Sequence, residues 1–376
     1  MIYKICTEFP NQMPLSVEGP RLSLYMPTHR IKIDRRHDEI VFKNLIKKAK
    51  TSLEQKYSHK EIAPLISNLE IMENDRSLWN YAQDGLALFA TLEEIVIYRL
   101  EKEMPSIVVV ASSFHTKPMI EYYQGIENYT VLQLEADSFA IYEGNYYDIV
   151  PIALEADAKT TLEEILGYQS TQKHVVQGSY GGISSSSFHG HGDKTDDIDI
   201  DRAKFFKHVD RFVSENISSK AKLPLVLLAN KDFHYDFKKI STNSYLIEES
   251  LEGSIDDAKE GLKIINDQRF DLVINQAIDK YHNLIERKLS SNQIDIILKA
   301  LLDARVDTLF VEKDKIIPGK IHRTTQRIVI GELNNPNIDD VLDDMAQEAL
   351  NTGAKVFILD KEKMPTNLGV AAIFRY

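Results

Sequence analysis

Residues 168–197, YQSTQKHVVQGSYGGISSSSFHGHGDKTDD, interrupt the chain with thirty positions that a packed core cannot use. They hold Gly178, Gly181, Gly182, Gly190 and Gly192, four serines at Ser184 to Ser187, and His174, His189 and His191. Almost nothing after Val176 is core-forming. So little apolar surface does not offset the chain entropy of ordering, and the stretch is expected to be mobile. A loop this long inside an ordered domain is either functional or a linker. A strand pair reads before it and a helix and strand after it, which favours function. Directly beyond it, Phe205, Phe206, Val209, Phe212, Val213 and Ile217 recur at helical spacing and form an aromatic stripe.

With 376 residues, the chain exceeds what one hydrophobic core usually holds, so two or three domains are expected. No apolar run approaches the ~18 to 20 residues of a membrane span, and the opening MIYKICTEFPNQM lacks the apolar core of a signal peptide. A cytoplasmic protein without membrane association is the expectation. Cys6 is the single cysteine, which excludes an intrachain disulfide and a cysteine-rich zinc site.

The net charge of −12 argues against general affinity for nucleic acid, DNA included. Its distribution is uneven. Between residues 30 and 60, ten cations (among them Arg30, Lys32, Arg35, Arg36, Lys43 and Lys47) face four anions, giving +6 locally and −18 elsewhere. This is either a solvated helix face or an RNA-facing patch on an acidic protein.

Taken in order, Arg21 to Met26 reads as a strand closed by Pro27. Asp34 to Glu54 reads as a helix with Ile40, Val41, Leu45, Ile46 and Ala49 inward, and a second helix covers Lys60 to Asn74. Strands follow at Gly85 to Thr91, Ile95 to Leu100 and Ile107 to Ala111, and His115 opens a short helix. Tyr129 to Glu135 and Phe139 to Tyr142 read as a hairpin. Leu225 to Ala229 is apolar throughout and reads as a strand buried on both faces, with a helix from Lys231 to Ile240. A long helical pattern runs from Ala258 to Ile285, and another helix ends near Arg305. The strand at Val306 to Val311 leads into a basic arm without regular structure (Lys313 to Arg327). A helix from about Asn337 stops at Gly353, and two strands close the chain, Lys355 to Leu359 and Gly369 to Arg375. The alternation predicts an α/β architecture.

In this order the segments resemble the archaeal and eukaryotic class-1 peptide release factors and Pelota, and most closely the bacterial archaeo-eukaryotic release factor family. The resemblance rests on SLYMPTHR (Ser23 to Arg30), DGLALFAT (Asp84 to Thr91), SSFHTKPMIEYY (Ser112 to Tyr123), LQLEADSFAIYEGN (Leu132 to Asn145), the Gly-Gly loop, PLVLLANKDF (Pro224 to Phe233) and GVAAIFRY (Gly369 to Tyr376). It implies three domains: residues 1–126, a ribonuclease-H-like central domain at 127–252 carrying the loop, and an L30e-like domain at 253–376. It also implies a ribosome-binding role with ribosomal RNA, tRNA and a translational GTPase as candidate partners, and no cofactor. Release factors carry Gly-Gly-Gln in this loop, which enters the peptidyl-transferase centre. Here Gly181 and Gly182 are followed by Ile183. An aliphatic side chain neither orients water nor donates to a developing oxyanion. The Asn-Ile-Lys-Ser signature of stop-codon reading is absent from the sequence. Rescue or hibernation, rather than termination, is therefore the expected role.

Two alternatives stay open. One is a peptidyl-tRNA or RNA hydrolase using Gln177, His189 or His191 in the altered loop; the other is an adaptor that recruits a protein partner. His189, His191 and Asp193 supply too few ligands for a metal site, and none is expected. The aspartates at 193, 196, 197, 199 and 201 lack the glycine and bidentate glutamate of a calcium loop and are read as capping the following helix. His29 and Arg30 end a strand where a partner would meet them, His115 and Thr116 start a helix, and Trp79 reads as core.

Overall fold

The computed structural model describes residues 2–14, 19–31, 35–167, 193–331 and 338–376. It is a mixed α/β protein with four sheets among these residues. The chain divides into two compact units, Met1–Gln124 with Leu272–Tyr376, and Gly125–Asp271.

The first unit opens with β1 (Lys4–Cys6) and β2 (Arg21–Pro27), then α1 (Arg35–Glu54), α2 (His59–Met72) and α3 (Arg76–Asn80). Three strands, β3 (Gly85–Ala90), β4 (Ile95–Leu100) and β5 (Ile107–Ala111), precede the short α4 (Lys117–Tyr123). The sheet order is β1-β4-β3-β2-β5. Because successive strand residues face opposite sides, Leu22, Leu24 and Met26 lie against the helices, while Ser23 and Tyr25 face the other way. On the helix side Phe42, Leu45, Ile46, Ala49 and Leu53 form the stripe of α1, and Trp79 stacks edge-on against Phe42 at 5.3 Å, in the core as read. Ile40, expected inward, is exposed. Phe42 takes the inward place because it shares one helical face with Leu45, Ile46 and Ala49.

The second unit carries β6 (Tyr129–Leu134), β7 (Phe139–Gly144), β8 (Ile149–Pro151), α5 (Leu162–Leu166) and α6 (Asp193–Val213). A π-helical turn (Ser214–Ser218) leads to α7 (Ser219–Ala221), β9 (Leu225–Ala229), α8 (Lys231–Ile240), β10 (Leu246–Leu251) and the long α9 (Ile255–Leu284), whose residues from Leu272 belong to the first unit. The sheet runs β10-β9-β6-β7-β8, with β9 parallel to both neighbours and buried at every position. Its alternate residues serve two cores. Leu225, Leu227 and Ala229 join Phe205, Phe206, Val209 and Phe237 on one face; Val226 and Leu228 join Ala258, Leu262 and Ile265 on the other. The continuous apolar run therefore reports a strand covered on both sides, as read from the sequence.

The first unit resumes with β11 (Ser290–Ser291), α10 (Ile294–Leu302), β12 (Val306–Glu312), β13 (Pro318–His322), β14 (Arg327–Ile330), β15 (Asp339–Asp340), α11 (Val341–Asn351), β16 (Lys355–Leu359) and β17 (Val370–Phe374). One sheet is ordered β11-β17-β12-β16, a smaller one β14-β13-β15. The basic arm expected to lack regular structure is thus an antiparallel hairpin, Gly319 opposite Ile330 and His322 opposite Arg327. Ile321 and Ile328 turn inward onto the core while Lys320 and Arg327 point out, so apolar and polar residues alternate with the period of a strand. The last helix begins at Val341 rather than near Asn337, with Asp340 as its cap, and ends before Gly353 in the left-handed region at φ +71°.

Candidate functional site

The basic stretch becomes a surface because α1 must lay its apolar stripe on the sheet. Arg36, Lys43, Lys47 and Lys48 remain exposed on its other positions. Lys43 approaches Glu73 at 3.7 Å; among the described residues Arg36, Lys47 and Lys48 form no ion pair. Arg35 is the first residue of α1, and Lys32 lies outside the described residues. Asp38, buried in the first turn, accepts the backbone N–H of His29 at 2.9 Å and faces its Nδ1 at 2.6 Å. Arg30 reaches Asp84 with two parallel bonds, Nε at 2.9 Å and Nη2 at 2.8 Å. His29 and Arg30 therefore tie the end of β2 to its surroundings. A half-exposed pair of the Arg30 kind contributes at most about 1 kcal/mol.

The loop candidates Gln177, Gly181, Gly182, Ile183, His189 and His191 lie outside the described residues. Before them, Thr161 and Glu164 form a capping box on α5 and Gly167 sits at φ +67°. After them, α6 already begins at Asp193, which corrects the capping role expected of Asp199 and Asp201. These lie more than a turn inside the helix, where no free N–H groups remain to be capped. Instead Asp199 pairs with Arg202 at 2.7 Å and Asp201 with Lys204 at 3.1 Å.

The most unusual electrostatics of the first unit was not legible in the sequence. Ser113, His115, Thr116 and Lys117 meet Asp339, Asp340 and Asp343, more than 220 positions away. Asp343 is buried and accepts the N–H of Thr116 at 2.8 Å and of Lys117 at 2.5 Å, thereby capping α4 from a distant helix. Thr116 is the N-cap residue as read, but its own side chain makes no capping bond. Asp339 accepts the Ser113 hydroxyl at 2.7 Å, and Asp340 accepts the N–H groups of Ile317 and Leu342. The ammonium of Lys117, itself buried, lies 2.6 Å from Asp340 Oδ2 and donates to the Lys315 carbonyl at 2.8 Å. That oxygen of Asp340 lacks a bond of good hydrogen-bond geometry, so the contact is one of charge. Burial pushes the Asp343 carboxyl up to about 7, against the pull of the two backbone donors. Burial and the neighbouring Asp339 raise Asp344 to about 7 as well, and burial holds His115 below its usual range. Beside this junction is a cavity of about 710 Å³ walled by Arg21, Phe114, Lys320, Asp344 and Met345. Apart from Oδ2 of Asp340, the network pairs its groups with one another, which is the pattern of a structural joint.

No group of three or more His, Cys, Asp or Glu among the described residues is placed to hold a metal ion. Among the described residues no helix is long and apolar enough to cross a membrane.

Residues 127–262 match the model of bacterial archaeo-eukaryotic release factor family 6. Over that segment, about a third of the chain, the protein is release-factor-like, as the sequence resemblance implies. No curated protein matches the sequence. Among solved structures, an archaeal translation termination factor, aRF1, aligns at 14% identity over 97% of this chain and 94% of that one, with a TM-score of 0.24. Dom34 of S. cerevisiae, a termination-like factor of RNA quality control that interacts with Hbs1, aligns at 11% identity over 75% and 73%, TM-score 0.36. Archaeal Pelota, as placed in a model of its ribosome-bound form with ABCE1, aligns at 10% identity over 78% and 77%, TM-score 0.38. At these scores the likeness decides nothing about function.

Proposed function

We propose that this chain is a cytoplasmic, ribosome-binding translation factor of the release-factor type, acting in rescue or hibernation without reading stop codons and without hydrolysing peptidyl-tRNA. The observation that carries this reading is the family match over residues 127–262. Two features of the chain agree with it. An exposed cationic face on α1 suits the phosphate backbone of ribosomal RNA, for which Arg36, Lys43 and Lys47, with Arg35, Lys32 and Arg30 beside them, are the proposed contacts. Ile183 stands where release factors carry their glutamine, which removes the group that would position water. In this reading the loop bearing Gly181, Gly182 and Ile183 points toward the peptidyl-transferase centre. The segment 127–252 serves as a ribonuclease-H-like body, 253–376 as an L30e-like one, and a translational GTPase and tRNA are candidate partners.

Reversing Arg35, Arg36, Lys43 and Lys47 together to Glu tests the surface. Each lost phosphate contact removes about 0.9 from the salt slope of binding, so a loss of ribosome pelleting of at least tenfold at physiological salt is expected. Pelleting equal to that of the unmodified protein would reject the α1 face as the contact.

A further inference from the structure

Lys315 to Gly331 carries four cations and no acid, in a chain whose net charge is −12. The structure folds most of this stretch into the hairpin of β13 and β14, and the strand register assigns each side chain to a face. Because side chains alternate along a strand, Gly319, Ile321, Ile328 and Ile330 share one face of the ribbon, and Lys320, His322, Arg327 and Val329 share the other. The first face is the anchor. Ile321 and Ile328 pack against the core to which α10 and α11 contribute. Gly319 permits a close approach to α11, since a Cβ there would stand 2.8 Å from Val341. At the turn, Arg323 pairs with Glu348 of the same helix.

The second face has no such task. Lys320, His322 and Arg327 are exposed, and among the described residues they form no ion pair. Val329 between them is half exposed, so this side of the ribbon buries little apolar surface and adds little to folding. His322 lies directly opposite Arg327, and Lys320 stands on the diagonal from it, roughly 7–8 Å away across the strands. The cations are thus spread along the ribbon and not gathered at one point, which suits a polyanion of repeating charge better than a single small anion. The turn continues the pattern. Thr324, Thr325 and Gln326 bring hydrogen-bonding side chains, with no carboxylate and no apolar group among them.

We propose that this face of the β13–β14 hairpin, with the turn at residues 323–326, docks on the sugar-phosphate backbone of RNA. Lys320 and Arg327 meet phosphates, and the threonines and glutamine of the turn bond phosphate oxygens and 2′-hydroxyls. The anchored first face holds the ribbon in one place, so little ordering is lost on contact. An acidic protein segment would need apolar anchors beside its charges, and this face offers Val329 alone. The choice of RNA rests on the ribosomal role proposed above, whereas the surface itself rests on the register.

The experiment pellets the full chain with vacant bacterial ribosomes over a salt series, comparing the unmodified protein with Lys320→Glu plus Arg327→Glu and with Lys320→Gln plus Arg327→Gln. Charge reversal should weaken pelleting about tenfold at physiological salt, and the neutral pair should lower the salt slope by roughly 1.5–2, at about 0.9 per phosphate contact. Melting temperatures should stay those of the unmodified chain, because neither side chain is packed. In a third arm, Thr325→benzoylphenylalanine should photo-crosslink to ribosomal RNA, a readout that needs neither charge variant to fold. If the unmodified chain pellets and both charge variants match it in amount and slope, this surface is overturned while the ribosomal role stands. An unmodified chain that does not pellet overturns both. Crosslinks to ribosomal protein alone would overturn RNA as the partner of the hairpin.

Discussion

Two charged regions of the first unit handle charge in opposite ways. On α1, among the described residues, Arg36, Lys43, Lys47 and Lys48 stand in solvent with one loose pair, Lys43 to Glu73, and the helix is held by the apolar stripe beneath them. At the junction of Asp339 to Asp344 with Ser113 to Lys117, carboxylates and an ammonium are buried and bonded to one another and to backbone N–H groups. Charge that is paired and dry is part of the folding energy of the unit. Charge that is exposed and unpaired is nearly irrelevant to stability and remains available to a partner.

The largest effect should come from breaking the dry region. Asp343→Ala leaves the N–H groups of Thr116 and Lys117 without an acceptor inside the fold, and a loss of about 3–5 kcal/mol is expected. Denaturant unfolding checks this, and a change below about 1 kcal/mol would erase the contrast with α1.

The next effect is one of pH. Asp343 and Asp344 have folded-state pKa values raised to about 7, so the folded chain holds protons that the unfolded chain releases. Their stabilising contribution is complete below the unfolded carboxylate value and is lost as pH rises through about 7. His115, lowered by burial, acts oppositely, losing stability as pH falls below its ordinary value of about 6.5. With two acids against one histidine, and with Asp339 also raised, stability at pH 8 should lie below that at pH 5.5 by roughly 2–4 kcal/mol. Asp343→Asn should flatten the profile. A stability that rises across this range would contradict the assignment.

The smallest effects belong to the exposed region. Arg30→Ala, which removes the bidentate pair with Asp84, should cost at most about 1 kcal/mol. Lys47→Ala and Lys48→Ala should each stay within about 0.5 kcal/mol. A larger loss at either lysine would mean that the face serves folding rather than a partner.

The same contrast explains what the sequence disclosed. Elements fixed by local pattern were legible: the apolar run of Leu225–Ala229, the strand Ile95–Leu100 and the helix Lys231–Ile240 lie where their periodicity places them. Of the run of cations between residues 30 and 60, Arg36, Lys43, Lys47 and Lys48 lie exposed on α1. The hairpin Pro318–Ile330 was missed because its lysines and arginines outweighed the inward alternation of Ile321 and Ile328. The acidic junction was illegible for a different reason. NIDDVLDDM reads as an ordinary acidic helix start, and only a contact across more than 220 positions turns Asp343 into the cap of α4. Likewise nothing in KHVDRFVSENI marks a π-helical turn or an unpartnered imidazole.

The most direct test of the central reading is sedimentation of the purified chain with vacant bacterial ribosomes through a sucrose cushion over a salt series. The account predicts co-pelleting at low salt that weakens steadily as salt rises, with a slope set by the few phosphates that α1 reaches. Protein that stays in the supernatant at low salt would contradict it, leaving the family match over residues 127–262 without a ribosomal role.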